Sequence, residues 1–99
     1  MSAQLPRLSS VETTILNLLV DRGEMYGLEI VESSGGVVKR GTVYVTLGRM
    51  ADKGLVASRA VKLEHERGLP RRLFTVTGLG ARVYSATQAA NALMIEALA

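Results

Sequence analysis

The periodicity of the chain changes at Gly54, and that change restricts the fold more than any other feature of the sequence. Before it, apolar residues recur every three or four positions, the spacing of helices packed on one face. After it, "LVASRAVKL" is rich in small and β-branched residues and predicts a strand from 55 to 62. "EHERGLP" then carries the charge, glycine and proline of a turn, and "RRLFTVT" alternates like a second strand. The two strands predict a hairpin whose tip holds His65, Glu66, Arg67 and Gly68.

Three helical patterns precede the hairpin. "SSVETTILNLLVDRG" opens with Ser9 and has Glu12 three residues later, a capping-box spacing that satisfies amides at a helix start. Val11, Ile15, Leu18 and Leu19 form its apolar stripe, and Gly23 is suited to a left-handed stop, which predicts a helix over 9–21. "EMYGLEIVESS" predicts a shorter helix with Met25, Leu28 and Val31 on one side. Gly27 inside it costs about 1 kcal/mol relative to alanine, which points to close approach of another helix. "VVK" at 37–39 fits either a very short strand or a lead into the next helix. The third helix is predicted over 41–53, with Val43, Leu47, Met50 and Ala51 facing inward.

The last segment, from Thr77 to the end, is rich in alanine, and Thr77 is placed to cap it. Leu79, Val83, Ala86, Ala90, Leu93 and Ala97 continue an apolar stripe for about five turns. That is longer than a core of this size requires, so part of the stripe is available for dimerisation. The predicted class is α+β, mainly α: three helices, a two-stranded wing and a long C-terminal helix, the winged helix-turn-helix arrangement. The 99 residues fit one domain, with 9–76 as the compact body and 77–99 as the appended helix.

Charge is unevenly distributed. Residues 39–72 hold nine lysines and arginines against three acids, while the rest of the chain holds three against six. A basic middle suggests one cationic face for nucleic acid, although a solvated surface would look similar. On the third helix, Thr42, Thr46, Arg49 and Lys53 share a second stripe, able to reach base edges and phosphates in a major groove. Asp52 is the sole acid on that helix. Tyr44, at the border of the apolar face, fits either packing or a phosphate contact through its hydroxyl. Val45 is predicted to be exposed, where it would meet a thymine methyl or simply face solvent. Lys39 and Arg40 precede the helix, the wrong charges for the positive end of its dipole unless an external anion docks there. In the wing, 63–71, Arg67 is suited to a narrow minor groove. Strand alternation turns Arg71 and Arg72 to opposite faces, leaving one of them for DNA.

Other functions find little in the sequence. There are no cysteines and one histidine, His65 on a polar loop, and no phosphate-loop pattern, so neither an enzyme, a metal nor a cofactor is expected. No long uncharged apolar run or signal-peptide centre occurs, which leads us to expect a cytoplasmic protein without a membrane span. Aromatic content of 4% offers few stacking platforms for RNA. The alternative to DNA binding is a winged-helix module that holds a partner protein.

Three stretches together resemble the PadR family of bacterial winged-helix regulators. "MYGLEI" at 25–30 is similar to that family's tyrosine–glycine second-helix motif. "GTVYVTLGRMADKGLV" at 41–56 resembles its recognition helix and following strand, and "GLPRRLFTVTGLGARV" at 68–83 its wing and final-helix start. The resemblance, spanning roughly 9 to 84, implies a homodimeric, sequence-specific double-stranded DNA-binding protein, commonly a repressor. It also implies dimerisation through the C-terminal helix, and DNA contact by 39–49 and the hairpin tip. Two departures stand out. Lys39 and Arg40 occupy the place where members often have a capping Ser or Thr, which predicts a frayed helix start. The C-terminal region is one helix, as in the shorter branch of the family. With no tryptophan, the aromatic cage some members use for flat drugs is missing, which argues against a small-molecule inducer.

Overall fold

The computed structural model describes residues 7–62 and 71–98. Four helices and three strands follow in the order α1 (Ser10–Arg22), β1 (Met25–Tyr26), α2 (Gly27–Ser33), α3 (Val43–Asp52), β2 (Val56–Val61), β3 (Arg71–Val76) and α4 (Gly78–Leu98). This is the winged-helix arrangement with a long final helix. The expected hairpin pairs β2 with β3 antiparallel, from Val56 opposite Val76 to Val61 opposite Arg71. The hairpin tip lies outside the described residues.

The sheet has three strands rather than two, in the order β1-β3-β2. Met25 and Tyr26, expected in a helix, instead pair with Phe74 and Leu73 on the free edge of β3. The physical reason is that the edge of a two-stranded ribbon offers unsatisfied amides and carbonyls, and two extended residues fill them. The second helix therefore starts later and turns a different face inward. Ile30 is fully buried and Leu28 is exposed, so of the expected stripe Met25 and Val31 pack inward and Leu28 does not.

Ile15, Leu16 and Leu19 of α1, Ile30 of α2, Val43, Leu47 and Met50 of α3, and Leu55, Phe74 and Val83 enclose one core. Ala51, expected among them, is exposed. Val38 adds a buried anchor before α3, its amide donating to the Ser34 hydroxyl at 3.0 Å. The segment 37–39 forms no strand and simply leads into α3.

Two glycines mark close approaches. A Cβ at Gly80 would overlap the Leu55 backbone carbonyl, so α4 begins pressed against the chain entering β2. A Cβ at Gly27 would lie 2.7 Å from Cε1 of Tyr44, so the expected neighbour of Gly27 is the first turn of α3. That contact sets how α3 crosses α2.

Candidate nucleic-acid interface

The start of α3 is unlike the starts of α1 and α4. At α1 the Ser9 hydroxyl accepts the Glu12 amide at 3.1 Å and the Glu12 carboxylate accepts the Ser9 amide at 3.0 Å, the full capping box. At α4 the Thr77 hydroxyl accepts the Gly80 amide at 2.9 Å and donates to the Gly54 carbonyl at 2.6 Å. At α3 the N-cap residue, Thr42, makes no side-chain cap, and its backbone is not in the extended conformation a cap requires. The Lys39 carbonyl accepts the Thr42 and Val43 amides at 3.2 and 3.0 Å. Among the described residues no acceptor meets the Tyr44 and Val45 amides. The open donors therefore lie in the first turn of α3, just after Val43.

The exposed face of α3 carries Thr42, Val45, Thr46 and Arg49, spaced to lie on one side, with Val45 57% exposed. Lys39 and Arg40 are exposed beside the open helix start. Among the described residues, neither they nor Arg49 has a carboxylate within ion-pair distance. An array of hydroxyls, a methyl-bearing side chain, cations and free amides matches the donors that meet phosphates and base edges.

Lys53, expected on the same stripe, is ion-paired. Its Nζ lies 3.0 Å from Oε2 of Glu12, turned toward the N-terminus of α1 rather than along the α3 face. Burial by itself would raise the Glu12 carboxyl. The Ser9 amide and the Lys53 ammonium outweigh it, so the carboxyl is held below its ordinary value. Arg59 is likewise held by Glu24, at 2.7 Å, which raises its already high affinity for the proton.

Tyr44 both packs and is displayed: its ring covers Gly27 while 54% of the residue stays exposed. It lines a groove of about 530 Å³ with Tyr26, Leu28, Glu29, Glu32, Arg71 and Arg72. The Arg71 guanidinium stands 5.7 Å from the centre of the Tyr26 ring, within cation–π range. Arg72 donates to the Ser58 hydroxyl at 3.1 Å. Both arginines reach this groove despite strand alternation, because they stand at the exposed outer end of β3 and have long side chains. Arg67 lies outside the described residues. Sequence reasoning missed Tyr26 and Glu12 as parts of this region. No spacing rule joins Glu12 to a lysine 41 positions away.

The stripe proposed along α4 divides in two. Val83 is buried in the domain's own core and is unavailable to a second copy, a correction that follows from α4 starting on the body. The Tyr84 hydroxyl donates to Asn17 of α1 at 2.9 Å, and Ala86 is half-buried. Leu79 is 43% exposed, and from Gln88 to Leu98 every residue is exposed. Ala90, Leu93 and Ala97 lie in that outer part, as do Met94, Ile95 and Leu98, which are 63, 70 and 83% exposed.

Comparison with known proteins agrees with this architecture. A PadR family transcription regulator from Clostridium difficile superposes with a TM-score of 0.74 at 24% identity, covering 91% of this chain and 95% of that one. A transcriptional regulator from Clostridium thermocellum gives 0.70 at 25% identity, with 93% and 95% covered. Bacillus subtilis PadR, solved in complex with operator DNA, gives 0.71 at 21% identity, with 84% of this chain and 48% of that one covered. No curated protein matches the sequence. The family model described as "Transcriptional regulator PadR-like family" matches residues 15–86. The chain belongs to the PadR-like family of transcriptional regulators.

Proposed function

We propose that this protein binds double-stranded DNA sequence-specifically as a homodimer and acts as a repressor. The observation that carries this reading is the α3 start, where uncapped amides and the exposed cations Lys39 and Arg40 stand together. A backbone phosphate at that point satisfies the amides, the helix dipole and both side chains at once. Thr42, Val45, Thr46 and Arg49 then face the major groove, and Tyr44 and Arg71 approach the flanking backbone from the groove between α3 and the sheet.

The outer part of α4 supplies the dimer contact. Leu93, Met94, Ile95 and Leu98 form an exposed apolar cluster of a kind that marks an interaction surface. A second copy covers it by a two-fold contact, with Ala90 and Ala97 allowing close approach. Two-fold symmetry sets two recognition helices about one or two DNA turns apart on a pseudopalindromic site. Among the described residues, no helix is long and apolar enough to cross a membrane.

The test is selection of duplexes from a random library by the purified protein, with solution mass measured alongside. An enriched inverted repeat bound by a dimer is expected. A monomer with no enrichment contradicts the reading, and retention of a partner protein in place of DNA supports the interaction-module alternative.

A further inference from the structure

The Glu12 side chain does two things that chemistry does not require of one residue. Closing the capping box at α1 needs an acceptor oxygen at this position, which glutamine supplies as well as glutamate. Oε1 alone performs that task, accepting the Ser9 amide at 3.0 Å. The negative charge is surplus to the cap, and the second oxygen, Oε2, carries it to Lys53 at the C-terminal end of α3. Glu12 is 8% exposed, and the Lys53 side chain 46%, so the pair is anchored on the buried partner. Arg49 and Thr46 line the same cleft, one and two turns earlier on α3. Without Glu12, Lys53 would extend the cationic face begun by Arg49.

We propose that Glu12 is a positioning residue for DNA recognition: it holds Lys53 on the protein and out of the phosphate contacts, which limits sequence-independent affinity. Phosphate contacts bind any sequence, and each one made by a lysine or arginine strengthens non-specific binding as much as specific binding. Holding one cation back leaves discrimination to the groove-facing Thr42, Val45, Thr46 and Arg49. The same ion pair fixes the C-terminal end of α3 against the start of α1.

This inference rests on the DNA-binding function proposed above. Its test is the salt dependence of affinity for a random-sequence duplex, measured for the full chain and for E12Q, K53Q and E12Q/K53Q. Helical content and melting temperature are recorded beside it. E12Q keeps the cap oxygen and frees Lys53, so the magnitude of the log–log slope rises by about 0.9 per bound subunit. At about 0.1 M salt the same contact strengthens binding about tenfold. K53Q leaves the slope at the wild-type value, and the double variant returns to it. A purely structural role for Glu12 lowers the melting temperature without moving the slope. An unchanged slope in E12Q, or a loss of about 0.9 in K53Q, overturns the assignment. Should E12Q fail to fold, the K53Q slope decides alone. Wild-type protein that binds no duplex at low salt contradicts the DNA-binding function itself, whereas binding with a K53Q loss contradicts only the role of Glu12.

Discussion

The starts of α1 and α4 and the start of α3 are built in opposite ways within one small domain. α1 and α4 satisfy amides of their first turns with capping side chains, Ser9 accepting from Glu12 and Thr77 from Gly80. α3 has no cap and is preceded by two cations. A helix start that is closed internally contributes to folding. One left open, with positive charge before a positive dipole end, is stabilised only when an anion arrives. Under the proposed function, the contrast separates helices whose ends serve the fold from a helix whose end is kept for a ligand.

Substitutions at each start separate the two roles. The largest effect is expected for K39Q/R40Q. If all four cations of a dimer meet phosphates, affinity at about 0.1 M salt falls by roughly 10⁴. Chemical stability should change by less than about 0.5 kcal/mol, since both residues are exposed. Anisotropy titration and urea unfolding of the same samples measure the two quantities. A loss of stability with little loss of affinity would mean that Lys39 and Arg40 serve the fold after all. Thr77→Val preserves shape but removes both hydroxyl bonds, and it should cost about 2 kcal/mol at fixed protein concentration. Ser9→Ala removes one side of the α1 box and should cost about 1 kcal/mol. Neither change should alter the salt slope of DNA binding.

The smallest effect is one of pH. The Glu12 carboxyl is held below its ordinary value when folded, so it contributes stability above the unfolded value of about 4.3. That contribution is lost as pH falls through the folded value. E12Q should therefore lose less stability than the wild type on acidification through this range, as read by denaturant midpoints at successive pH values. An equal loss in both proteins would show that Glu12 is not the linked group.

Much of this was legible in the sequence, and what was missed has a physical cause. Ser9 with Glu12, and Thr77 ahead of an alanine-rich run, state their caps in local spacing, which a linear reading captures. Val43, Leu47 and Met50 lie at the helical period and are fully buried. Ala51 failed because a small side chain beside the apolar stripe is indifferent to burial. Met25 and Tyr26 failed because two residues carry no period of their own, and only the open edge of β3 makes them a strand. The ion pair of Lys53 was missed for a related reason: its position on the α3 face is local, but its partner Glu12 is brought to it by the tertiary fold. Val83 shares its spacing with Leu93, yet one packs in the core and the other faces solvent. Periodicity gives a helix its stripe and leaves open how far the body extends along it.

If the α3 start is kept open for a phosphate, amide hydrogen exchange at Tyr44 and Val45 reports it. In the free protein these two amides should exchange far faster than that of Leu47 in the helix interior. On adding the selected duplex they should become protected, while the α1 amide of Glu12, already capped by Ser9, should change little. Protection of Tyr44 and Val45 without DNA, or continued fast exchange in the saturated complex, would contradict the account.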